Sequence, residues 1–235
     1  MINLPAGLTF LDVASVALHL AAWGLVSHAI EHPRPDKPSV SAAMRVYRRG
    51  WMEQFLARDT RIFDGNILSI LQHSTSFFAS ACMIAIGGGL ALIGNADMVA
   101  SMAQDVDVGP ASPQALRIKI VLALILVINA FLKFVWALRL FGYCAILMAS
   151  VPNDPAAPGA RGLAMKAAEV NINAARNFNA GMRAIYFAIS ALAWLIGPWA
   201  LTLATIVVTW SAWRREFASG SRRAILADDA APPTN

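Results

Sequence analysis

VINAFLKFVWALRLFGYC, residues 127–144, is apolar enough for a membrane helix, yet it carries Lys133 and Arg139. It sits inside a longer apolar run, residues 118–151. A membrane-crossing helix needs about 20 mostly apolar residues, because each adds about 1.5 Å against a hydrocarbon core of about 30 Å. Residues 7–30, 76–96 and 184–213 meet the same requirement. None of these runs shows the alternation of a barrel strand. The expected fold is therefore all-α, an integral membrane four-helix bundle with spans at about 7–30, 76–96, 118–140 and 184–213.

Composition supports this reading. Of 235 residues, 57% are hydrophobic and only 14% charged, against about 25% charged in a soluble domain. The net charge of +5 does not point to nucleic acid, since the basic residues flank apolar runs as the positive-inside rule requires. The opening MINLPAGLTFLD has no basic residue, so the first span reads as an uncleaved anchor. Cys82 and Cys144 fall in apolar runs and read as packed thiols.

Between the first two spans, the prolines of EHPRPDKPS stop a helix. Val40, Met44, Tyr47, Trp51 and Phe55 then recur at helical spacing beside Arg45, Arg48 and Arg49. This predicts a cytoplasmic amphipathic helix over about 40–58, lying in the headgroup region or packed on the bundle. Asp64 reads as the cap of a helix that runs through His73 into the second span. Ala81, Ala85 and Gly89 form a small-residue face suited to close helix approach, within the bundle, to another copy or to a larger complex. Residues 97–114 hold three aspartates and no base, which suits the outer face, and PNDPAAPGARG (152–162) breaks the third helix. Residues 1–220 read as one membrane domain and 221–235 as a disordered tail.

Seven Lys and Arg lie between spans one and two (Arg34, Lys37, Arg45, Arg48, Arg49, Arg58, Arg61), and four between spans three and four (Arg161, Lys166, Arg176, Arg183). Both connections are expected in the cytoplasm and the N-terminus outside, in a bacterial inner (plasma) membrane. Four spans then leave Arg214, Arg215, Arg222 and Arg223 outside as well, unless the chain turns back at Gly197-Pro198.

At 100° per residue, Asn129, Lys133, Trp136, Arg139 and Tyr143 share an arc of the third span. Lys119 and Arg139 are about 30 Å apart along the helix and mark its two boundaries, which leaves Lys133 free to snorkel. The arc is alternatively expected to face the bundle interior. Before the fourth span, Glu169, Asn173, Arg176, Asn179, Arg183 and Tyr186 form a matching stripe. Packed together, arc and stripe make a cationic seam, either a structural clamp or a site for a small anionic solute or lipid headgroup.

Other motifs carry less. HAIEH (His28–His32) fits a zinc-peptidase pattern, but Pro33 ends the turn and a third ligand is missing, so no metal or cofactor is expected. Mid-span His19 reads as a hydrogen-bonded interior histidine rather than a haem ligand, and Asp12 as a boundary residue. No phosphate loop or nucleophile elbow is present, and the expectation is a non-enzyme.

Segments 48–88, 133–152, 174–195 and 214–219 together resemble a family of small multi-span membrane proteins catalogued as a domain of unknown function, with bacterial and plant members. The likeness covers about residues 8–219. It implies a shared fold of about four helices and a membrane location, and carries no activity. The functional expectation is binding or transport of an anionic solute or lipid headgroup at the seam. The alternatives are an accessory or scaffold subunit, and a metal-dependent enzyme on His28, Glu31 and His32.

Overall fold

The computed structural model describes residues 7–105 and 112–227. Their helices run α1 (Phe10–Glu31), α2 (Val40–Leu56), α3 (Ile62–Gly94), α4 (Ala96–Asp105), α5 (Pro113–Ala149), α6 (Ala160–Ala191), α7 (Pro198–Phe217) and α8 (Gly220–Leu226), with no strand among the described residues. A 3-10 turn, Leu192–Leu195, prolongs α6. Four helices are long and apolar enough to cross a membrane: α1, α3, α5, and α6 with its turn.

Local signals explain most helix starts. Thr9 and Asp12 cap α1 reciprocally, which satisfies two otherwise orphaned groups. The Ser39 hydroxyl accepts from Ala42 N at the start of α2, and Ser112 with Pro113 opens α5. Asp64 departs from the expected role of cap, since Arg61 occupies the N-cap of α3 without a side-chain cap bond. Asp64 is buried instead and accepts from the Trp51 indole at 2.6 Å and from Arg58, which fastens α3 to α2.

The fourth apolar run, expected at 184–213, is divided. The fourth crossing helix begins at residue 160 and ends at residue 195. Gly197 then takes φ +157°, a value that L side chains rarely adopt, and Pro198 opens α7. From there α7 returns between α1 and α6. Glu216 accepts from Ser41 Oγ at 2.9 Å, Arg222 Nε donates to the Pro38 carbonyl at 2.9 Å, and Tyr47 donates to the Ile225 carbonyl at 2.9 Å. The arginine-rich tail therefore lies at the same end as α2, called the basic end below. Within the stretch expected as a disordered tail, residues up to 226 belong to α8, and 228–235 lie outside the described residues. Of the acidic loop, residues 96–105 form α4, which buries Ala96 and Ala100 against α5; residues 106–111 lie outside the described residues.

Of the two placements expected for the amphipathic helix, the structure shows the packed one. Asn179 meets Ser41, Asn171 meets Arg48, Glu169 meets Arg49 and Arg161 meets Glu53. Contacts that step forward on α2 step back on α6, so the two run antiparallel side by side. At 36 residues, α6 with its turn is about 54 Å long and outreaches a core of about 30 Å by about 24 Å. The 17-residue α2 covers that projection.

The bundle core is the α5/α6 contact. Leu126, Ala130, Phe134, Ala137, Phe141 and Cys144 of α5 are buried at three- and four-residue spacings. They meet alanines and Gly181 of α6, where a Cβ on Gly181 would stand 2.8 Å from the Phe134 ring. That ring forms a three-ring cluster with Phe78 and Phe178, with centroids 5.6 Å from each. This packing leaves the α5 polar arc outside the α5/α6 contact. Trp136 and Tyr143 are 47% and 44% exposed and Arg139 is exposed with them, while Asn129 and Lys133 are half-buried at the edge of the packed face. Small α6 residues accept aromatic rings closely, whereas turning unpaired cations inward would strip their hydration.

Candidate functional site

At the basic end, polar groups from four helices converge. Glu31, the last residue of α1, is their hub. Its carboxylate accepts from Arg176 at 2.6 Å and from Arg183 Nη2 at 2.5 Å, both on α6. Arg183 is 6% exposed and also reaches Ser27 Oγ at 3.3 Å. Two turns of helix separate these arginines, so they approach Glu31 from different depths.

α2 closes the other side. Ser41 donates its backbone N–H and hydroxyl to Glu216 of α7 at 3.0 and 2.9 Å, and accepts from Asn179 Nδ2 at 3.3 Å. Arg45 donates to the Glu31 carbonyl at 3.2 Å. Arg48 donates to the buried Asn171 side chain. Burial holds the Arg48 guanidinium below the usual arginine range, yet arginine remains protonated at any physiological pH.

These groups enclose a cavity of about 270 Å³ walled by Arg45, Arg48, Arg176, Arg183, Glu31 and Glu216. Four guanidinium groups face two carboxylates. Glu31 is divided between Arg176 and Arg183, and neither Arg45 nor Arg48 has a carboxylate partner among the described residues. The cavity wall is therefore cationic, with planar donors of the kind that match carboxylate and phosphate oxygens.

The sequence-derived site is only partly assembled. Arg176, Asn179 and Arg183 line the cavity. Tyr186 lies one turn further along α6, where its hydroxyl accepts from Arg215 Nη1 at 2.9 Å. Glu169 forms an exposed ion pair with Arg49 at 2.7 Å, and Asn173 is exposed. Asn129, Lys133, Arg139 and Tyr143 are not part of it. Arg139 and Tyr143 are exposed and Asn129 and Lys133 half-buried, and the expected α5/α6 seam is filled by Phe134, Ala137 and Phe141 instead.

Sequence reasoning missed the roles of Glu31, Ser41, Arg45, Arg48, Asn171 and Glu216. Arg45 and Arg48 were legible as the basic face of α2. Glu31 was hidden inside a zinc-like motif, and Glu216 gave no signal. The His28 and His32 rings stack at 4.7 Å, while Glu31 turns toward the arginines. No group of three metal-ligating side chains occurs among the described residues.

Two other buried polar groups serve the bundle. His19 is fully buried, with Nδ1 2.7 Å from Thr205 Oγ1 of α7. Because Thr205 gives its own proton to the Leu201 carbonyl at 2.8 Å, Nδ1 is the donor. Asp12, 4% exposed, accepts from Thr9 N at 2.8 Å, Thr9 Oγ1 at 2.7 Å and Trp194 Nε1 at 2.7 Å. Lys119 stands 5.7 Å over the Trp194 ring at that opposite end.

No curated protein and no solved structure matches the chain. The model of a family described as "Protein of unknown function, DUF599" matches residues 14–221, a stretch that holds every charged residue of the cavity. The chain belongs to this family.

Proposed function

We propose that the protein is a non-enzymatic, multi-pass component of the bacterial inner (plasma) membrane that binds, or helps to move, a small phosphate- or carboxylate-class anion, free or as a lipid headgroup, in the α1/α2/α6/α7 cavity. The observation that carries this reading is the pair Arg45 and Arg48, which line the cavity with no carboxylate partner among the described residues. The basic end is assigned to the cytoplasm and the N-terminus to the outside, because the connections rich in Lys and Arg and the tail gather at one end.

The test is calorimetric titration of the purified protein in mild detergent with glycerol 3-phosphate. Saturable binding that is lost in the Arg45→Gln/Arg48→Gln variant is expected. Equal binding by that variant would remove the cavity as the site.

A specific observation also supports the scaffold alternative. Phe63, Ile70, Phe77 and Ile84 are 61–77% exposed along α3, at the seven-residue spacing of a helix-pairing stripe. Ala81 lies beside them, exposed, as does Ala85. Gly89 faces inward instead, where a Cβ would meet Leu124 at 2.5 Å. On this reading α3 pairs with α3 of a second copy. A native mass equal to the monomer, unchanged by Ile84→Lys, would eliminate it.

A further inference from the structure

The cationic cavity is the first of three neighbouring hollows. A second hollow of about 200 Å³ shares Asn179, Arg183 and Glu216 with it. A third, of about 350 Å³, shares Tyr186, Ala212 and Arg215 with the second and continues along the α6/α7 junction between Ile189, Ala204, Val207 and Val208. The three follow one another from charge into hydrocarbon.

The chemistry changes along this path. At the junction Arg215 lies against the Tyr186 ring at 5.3 Å and donates to its hydroxyl, with no carboxylate partner among the described residues. Beyond it the walls are largely aliphatic, and the Ser190 hydroxyl there is already donated to the Phe187 carbonyl at 2.9 Å. Along α7 the groove extends from Arg215 to Ala204, eleven steps or about 16 Å. That is close to one leaflet, half of a core of about 30 Å. Ile189 and Val207, 63% and 56% exposed, form the rim, so the groove is open sideways to lipid.

A free anion would need only the cavity. A groove of one-leaflet length, open to the bilayer and starting at an unpaired arginine, fits an acyl chain joined to an anionic group. We infer that the ligand is an anionic glycerophospholipid of the basic-end leaflet, its phosphate at Arg215 and Arg183 and one acyl chain along α6/α7. This rests on the anion reading of the cavity and narrows it from free solute to lipid. The chain gains little from leaving other lipid tails for the groove, because both surroundings are apolar. Selectivity therefore lies with the arginines, and the groove fixes depth and orientation.

The experiment uses the full chain in mild detergent. Phosphatidylglycerol and phosphatidylcholine are titrated by native mass spectrometry, and glycerol 3-phosphate by calorimetry. Ala204→Phe and, separately, Val207→Phe fill the groove away from the charged cavity. Expected are preferential retention of phosphatidylglycerol and a loss of its affinity of about tenfold in either groove variant. Their unchanged glycerol 3-phosphate titration shows that the variants are folded. Arg215→Gln is expected to abolish the preference over phosphatidylcholine. If glycerol 3-phosphate binds as tightly as phosphatidylglycerol and the groove variants change nothing, the lipid assignment is overturned while the anion cavity stands. Equal retention of both lipids also overturns it. If neither glycerol 3-phosphate nor phosphatidylglycerol binds, the anion reading itself falls.

Discussion

Replacing Glu31 by glutamine removes one charge from a cluster in which two arginines depend on it. Glu31 is 19% exposed, and Arg183, 2.5 Å away, is 7% exposed in its side chain. Arg176, the other partner, is 45% exposed, and water screens that pair to roughly 0–1 kcal/mol. The cost therefore comes almost wholly from Arg183, left with a buried and uncompensated charge. Breaking such a pair costs about 3–5 kcal/mol, and the glutamine oxygen retains one acceptor worth about 1 kcal/mol. A net loss of about 2–4 kcal/mol follows for Glu31→Gln, read from reversible unfolding in mixed detergent micelles. The diagnostic companion is Glu31→Gln with Arg183→Met, which removes both charges and is expected to cost less than Glu31→Gln alone. Adding glycerol 3-phosphate is expected to restore the single variant more than it stabilises the wild type, since the ligand supplies the missing anion. A wild-type unfolding midpoint for Glu31→Gln, or a double variant as costly as the sum of both singles, would refute the view of Glu31 as the counter-charge of a cationic cavity.

Lys133→Gln with Arg139→Gln is expected to leave glycerol 3-phosphate binding unchanged in the same calorimetric titration, because neither cation lines the cavity. Gly181→Ala is expected to destabilise by about 1–3 kcal/mol in micelle unfolding, since its Cβ meets a Phe134 ring already packed against Phe78 and Phe178. Gly89→Ala is expected to cost less, because the atom it meets is the mobile end of Leu124. Cysteines placed at Arg58 and Arg222 are expected to react with an impermeant thiol reagent from one side of the membrane and a cysteine at Asn95 from the other. Labelling of the 58 and 222 positions from opposite sides would exclude the return of α7.

Long apolar runs made three of the four crossing helices legible and caught the end of the fourth, because a bilayer leaves little choice of structure for about 20 apolar residues. Local chemistry was equally readable at the Thr9/Asp12 capping box and at Gly197-Pro198, where a glycine conformation followed by a residue without an N–H permits one helix to end and another to begin. What the pattern did not contain was the direction in which α7 leaves that turn. Hydropathy along the run is nearly continuous across the break, so the topology was set by tertiary contacts: Thr205 to His19 near the middle of the bundle, Glu216 to Ser41 at the basic end. Once α7 returns, the conflict between four crossings and an arginine-rich tail disappears.

The α5 arc misled for a related reason. Helical periodicity groups Lys133 with Arg139 but does not say which neighbour, if any, the group meets. Two kinds of face competed for α6, one carrying Phe134 and Phe141 and one carrying unpaired cations. Dispersion and exclusion of lipid favour the first, since Gly181 and the α6 alanines leave room for rings, and the long stems of lysine and arginine let the second reach a boundary without a partner. Arg183 differs from Lys133 in having a carboxylate to go to, and that difference is long-range: Glu31 precedes it by 152 residues. A buried arginine in an apolar helix therefore reads as a request for an acid elsewhere in the chain. Here that acid is shared with Arg176, and Arg45 and Arg48 add charge without a carboxylate partner among the described residues, the imbalance on which the proposed anion binding rests.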